Sequence, residues 1–98
     1  MRIFVIVALA MMAMFLNADD FEVGKKAYQT SDYAKAKNLF EVTCHQNNNP
    51  QACAILAVMY VNGQGVKKDI NKAKELYKKS CDNNFELGCQ GYNELSRN

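Results

Sequence analysis

The sequence predicts an all-α fold, a short α/α solenoid of helical hairpins stapled by disulfides. Two stretches of the chain repeat at an offset of 37 residues. Within each stretch the apolar residues recur at helical spacing. Four cysteines, Cys44, Cys53, Cys81 and Cys89, fall at matching places in the two stretches.

The first 18 residues are a different kind of sequence. Sixteen of them are apolar, every position except Arg2 and Asn17, against 32 of the remaining 80. Arg2 supplies a positive start, and Ile3 to Leu16 is an unbroken apolar run of 14 residues. A membrane-spanning helix needs about 20 apolar residues, whereas the apolar part of a secretory leader takes about 7–15. Residues 1–18 are therefore expected to be a signal peptide, cut after Ala18 to leave a domain over 19–98. Leu16 suits that cut poorly, and Ala8-Leu9-Ala10 is the other small-x-small site. The expected location is periplasmic or secreted, with no membrane attachment after cleavage.

Eighty residues make one domain at most. The net charge is +2, which lacks the strong basic balance of a nucleic-acid binder. Nucleic acid is not an expected partner. An even number of cysteines in a small exported chain reads as disulfides. So small a core supplies little net stability, so covalent staples are expected.

The elements follow in order. A first helix is expected over about 20–30, with Phe21, Gly24, Ala27 and Tyr28 facing inward. A second spans about 33–46. Asp32 can cap it by accepting from free backbone N–H groups. Its apolar stripe is Tyr33, Ala36, Leu39, Phe40, Thr43 and Cys44. The third runs over 50–61, after Asn49 as cap and Pro50 in the first turn, where a missing N–H does no harm. Asn62-Gly63-Gln64-Gly65 stops it, because glycine accepts the left-handed conformation of a helix end. Asp69 caps the fourth, over 69–81, with the stripe Ile70, Ala73, Leu76, Tyr77, Ser80 and Cys81. A fifth is expected over 84–96. In the two repeats Asp32 aligns with Asp69, Lys35-Ala36-Lys37 with Lys72-Ala73-Lys74, Leu39 with Leu76, and Phe40 with Tyr77. Cys44 aligns with Cys81. A period in the mid-thirties is that of a helical-hairpin solenoid.

No motif points to catalysis. Gly63 and Gly65 are followed by Val66 and Lys67, where a phosphate loop needs Gly-Lys-Ser/Thr. The cysteine gaps of eight and seven residues exceed the two to four of structural zinc sites, so no metal and no cofactor is expected. Cys44 and His45 are neighbours about 100° apart on a helix, so the imidazole would not face the sulfur. A serine β-lactamase needs a lysine three residues after its serine. Ser31 has Ala34 there, Ser80 has Asn83, and no Lys-Thr-Gly occurs. Catalytic residues are unknown at this level. Lys35, Lys37, Lys72, Lys74, Lys78 and Lys79 fall mostly off the apolar stripes and read as a solvated face.

Leu56-Ala57-Val58-Met59-Tyr60-Val61-Asn62-Gly63-Gln64-Gly65-Val66-Lys67-Lys68-Asp69, then Lys72-Ala73 and Tyr77, resembles a Sel1-like repeat, a relative of the tetratricopeptide repeat. With its cysteines the chain is similar to the cysteine-rich secreted Sel1-like proteins of Helicobacter and Campylobacter relatives, over about residues 21–95. The unit over 32–62 lacks a Gly-x-Gly-Val turn before it, and the unit over 69–96 ends on a polar helix resembling a terminal cap. The resemblance implies pairing of Cys44 with Cys53 and of Cys81 with Cys89. Each pair flanks a short loop, although four cysteines allow three connectivities.

The resemblance also implies a penicillin-binding or β-lactamase label, which no motif here supports. The other expectation is a protein- or peptide-binding adaptor using the concave face of stacked hairpins. With that face on the first helix of each hairpin, Tyr33, Asn38 and Asn71 are the candidate contacts. A β-lactam or peptidoglycan fragment is the alternative ligand. Tyr28, Phe40, Tyr60 and Tyr77 are expected in the core, and a short array leaves end faces open to self-association.

Overall fold

The computed structural model describes residues 20–97. The expected signal peptide at 1–18 and its cleavage position lie outside them. The described residues form five helices and no strand: α1 over 20–29, α2 Tyr33–His45, α3 Pro50–Asn62, α4 Ile70–Asp82 and α5 Glu86–Ser96. None is long and apolar enough to cross a membrane. Each packs on the next, α2 on α3, α3 on α4 and α4 on α5.

The local signals explain the ends. Asp32 Oδ1 accepts from Lys35 N at 3.4 Å and Asp69 Oδ1 from Lys72 N at 3.0 Å. Asn49 Oδ1 accepts from Gln51 N and Ala52 N at 3.0 and 3.2 Å. Gly63 ends α3 at φ 68°, with its N–H donating to Met59 O. Helix α5 starts two residues later than the sequence predicts. Asn84 takes a left-handed φ of 70° and Phe85 is extended, which turns the Phe85 ring off the helix and into a surface groove.

The core is made of small residues around a few large ones. Phe40, Leu56, Met59, Cys44 and Cys53 are fully buried among Ala36, Ala52, Ala57 and Ala73. Small side chains let helix backbones approach closely. Helix α1 joins the stack through Phe21, whose ring lies 6.0 Å from that of Phe40. A Cβ on Gly24 would meet Phe40 Cε1 at 2.9 Å, so this glycine sets how near α1 comes to α2. Gly65, at φ 70°, lies so close to Tyr33 that a Cβ would sit 2.7 Å from its carbonyl oxygen. Buried Thr43 and Ser80 are both satisfied. Thr43 donates to Leu39 O at 3.0 Å, and Ser80 donates to Pro50 O at 2.7 Å, tying α4 to the start of α3.

The disulfides join Cys44 to Cys53 and Cys81 to Cys89, with Cα separations of 4.7 and 4.5 Å. All four cysteines are therefore paired, and none is a free thiol.

Candidate functional site

The odd-numbered helices lie along one side of the stack and enclose an apolar groove of about 510 Å³. Helix α3 supplies Ala54, Ile55 and Val58, α1 supplies Phe21 and Lys25, and α5 supplies Leu87, Gln90, Gly91 and Glu94. Helical periodicity explains the α5 contribution, since Leu87, Gln90, Gly91 and Glu94 stand at i, i+3, i+4 and i+7 on one face. Leu87 is 60% exposed, the most exposed large apolar side chain described. Tyr77 of α4 reaches the groove beneath Gly91, where a Cβ would strike its ring at 2.5 Å. Burial, then the nearby Tyr28, hold the Tyr77 phenol above its usual pKa, so it is a neutral wall. A second hollow of about 320 Å³ continues along α1 through Lys25, Tyr28, Ile55 and Val58.

Two charges bracket the groove. Lys25 stands on the α1 side, 3.1 Å from Glu22 and 4.9 Å above the Phe21 ring. Glu94 stands on the α5 side. Both groups lie at the groove's margin, and apolar carbon makes up most of the surface between them.

Tyr33, Asn38 and Asn71 do not line this groove. Tyr33 is half-buried with its ring edge-on to Tyr28 at 5.4 Å. Asn38 and Asn71 are exposed on α2 and α4, each about half a turn from the buried Ala36 and Ala73. The expectation placed the concave face on α2 and α4, whereas this apolar groove follows α1, α3 and α5. Ile55, Val58, Leu87, Gln90 and Glu94 went unread as site residues. The signal for Ile55 and Val58 was that α3 is apolar around its whole circumference, more than one core-facing stripe requires.

A polar chain runs across α2, α3 and α4. Tyr60 Oη donates to Glu41 Oε1 at 3.2 Å, and Glu41 Oε2 lies 3.2 Å from His45 Nε2. His45 Nδ1 is 3.3 Å from Lys79 Nζ. The two ring nitrogens of His45 thus face a carboxylate on one side and an ammonium on the other. Burial and the Glu41 carboxylate raise the Tyr60 phenol. This chain ties α2, α3 and α4 together. Ser80, the buried serine, has its hydroxyl engaged with Pro50 O and is closed to solvent.

The sequence model of one family, described as Sel1 repeat, matches residues 7–48 and 50–85. The second match joins α3 to α4 across the Gly63–Gly65 turn, out of step with the disulfide-bridged hairpins α2–α3 and α4–α5. The chain is 35% identical over 74 residues to a Helicobacter pylori strain J99 protein named "Putative beta-lactamase HcpC", a match covering 72% of this chain. It is 36% identical over 70 residues to the HcpC of strain 26695, covering 68% of this chain. HcpE of strain J99 is 36% identical over 47 residues, 48% of this chain and 13% of HcpE. The chain spans about a quarter of the length of the HcpC relatives, 25% and 24%.

Proposed function

The chain belongs to the Sel1 repeat family, and on that premise we propose that it is an exported binding module. Its α1–α3–α5 groove takes an apolar segment of a partner protein. The observation that carries this is the groove itself. Ile55, Val58, Phe85 and Leu87 leave apolar carbon open to water, and apolar surface loses about 25 cal/mol per Å² by staying wet. Export is supported by the two disulfides, which persist in oxidising compartments, and by the leader-like residues 1–18. A photo-crosslinking residue at Gln90, beside the groove, and another at Asn38, on α2, test the reading in the native host. One reproducible partner from Gln90, lost on Val58→Glu, is the expected result. Crosslinks from Asn38 alone, or from Gln90 only to copies of the same chain, would overturn it.

The names of the HcpC relatives favour a second reading, β-lactam binding or hydrolysis. No serine with a lysine three residues on supports it. Turnover of a chromogenic cephalosporin that persists through re-purification of the oxidised protein would establish this reading. Its absence, with helical circular dichroism intact, would remove the hydrolase form of it.

A further inference from the structure

Beside the groove lies a larger hollow of about 640 Å³. Phe21, Gln51 and Phe85 border both. The α2–α3 loop adds Asn47, and the cap of α3 adds Asn49. We propose that this hollow binds a neutral carbohydrate, one or two pyranose rings of an uncharged glycan. The first observation is a donor held in place. Asn49 Oδ1 accepts from Gln51 N at 3.0 Å and from Ala52 N at 3.2 Å. Only the oxygen of a carboxamide accepts, and the group is planar, so those two bonds also fix the Nδ2 group. Among the described residues that group donates to no acceptor. The second observation is the chemistry around it. Asn47 and Gln51 bring two more carboxamides, both on exposed residues. Phe21 and Phe85 are half-buried at the border. Among the described residues, no ionisable side chain lines the hollow.

These pieces match one class of ligand. A pyranose carries hydroxyls around its rim, each both donor and acceptor, and carboxamides answer both roles. Its faces are apolar C–H groups, which suit the negative face of an aromatic ring. An anion would lose hydration here without gaining a cation. A peptide backbone brings one donor and one acceptor per residue and no flat apolar face, so it uses the amides and leaves the rings idle.

The inference goes beyond the binding reading and does not rest on it, since it needs no occupant in the groove. The test uses protein recovered oxidised from expression of the full chain. Proton–nitrogen correlation NMR follows its titration with cellobiose, with N,N′-diacetylchitobiose and, as the peptide arm, with N-acetyl-trialanine amide. At least one of the sugars should shift the side-chain amide signals of Asn47, Asn49 and Gln51 to saturation, and leave those of Asn38 and Asn71 in place. Asn49→Asp keeps the capping oxygen and removes both Nδ2 donors. It should weaken sugar binding about tenfold, or about 1.4 kcal/mol, with the fold intact by circular dichroism. Phe85→Leu keeps apolar bulk and removes the ring, and should weaken binding about fivefold. No saturable shift with either sugar, saturation by the peptide alone, or sugar binding indifferent to both variants would overturn the proposal. None of these results bears on the groove's partner, which Gln90 crosslinking reads.

Discussion

The two disulfide-bridged hairpins share a plan and differ in burial. In the first, α2 and α3 meet over Cys44–Cys53, whose cysteines are both 0% exposed. In the second, α4 and α5 meet over Cys81–Cys89, whose cysteines are partly open to solvent. Helix α3 has six buried residues, whereas Gly88 is the buried residue of α5. Where α3 carries Ala57, Val58 and Tyr60, α5 carries Asn93, Glu94 and Ser96. Position in the stack produces the contrast, since α3 is packed by α2, α4 and α5 and α5 is an outer helix of the described stack. The first hairpin is held by its core, while the second leans more on its staple.

Core truncation should separate them most. Leu56 is fully buried in α3 and Leu95 is half-buried in α5. Leu56→Ala is expected to lose about 3–4 kcal/mol and Leu95→Ala about 1 kcal/mol in urea unfolding. Equal losses would erase the distinction.

The staples come next. Closing loops of nearly equal length, they contribute about 2.7 kcal/mol each in the chain-entropy picture. Access to reductant differs, however. Limited reduction followed by alkylation and mass spectrometry should find Cys81 and Cys89 labelled before Cys44 and Cys53. The opposite order would mean that burial does not govern opening here.

Packing at the second staple is the closer of the two. Ala52 in α3 corresponds to Gly88 in α5, and a Cβ on Gly88 would run into the Ser80 side chain and lie 2.9 Å from Cys81 N. Gly88→Ala is expected to cost about 1–3 kcal/mol by overpacking, read from the shift in urea midpoint.

The smallest effect concerns alkaline pH. Burial raises the Tyr77 phenol above its usual value, so the folded chain keeps a proton that the unfolded chain releases. Stability from this group is fully present below about pH 10 and is lost as pH rises through the folded value. Tyr77→Phe should show a shallower fall in urea midpoint between pH 9 and pH 11 than the wild type.

Much of the fold was legible because its signals are local. Asp32, Asn49, Asp69 and Gly63 act within a turn of where they stand, and the helices begin and end beside them. The repeat at 37 residues fixed the order of hairpins, and the cysteine pairing implied by the family resemblance is the one the structure shows. The groove was less legible. Periodicity tells which stripe of α2 or α4 is buried, but which side of a stack closes around a hollow depends on how successive hairpins are inclined. Helix α3 has no polar side to orient it. Ile55 and Val58 therefore went unread although they open on the groove, and Asn38 and Asn71 were the expected contacts although they stand away from it. Phe85 escaped because its role rests on the backbone turn at Asn84, which displaces the start of α5.

Helix α5, held by Cys81–Cys89, completes a groove on a more stable α1–α4 body. Native-state hydrogen exchange on the oxidised protein, followed by mass spectrometry with peptide resolution, tests it most directly. Strong protection is expected in α3 and α2, weaker protection in α5, and selective loss of α5 protection in Cys81→Ala/Cys89→Ala with α2–α3 unchanged. Uniform protection across all helices, or collapse of α2 and α3 together with α5 in that variant, would contradict it.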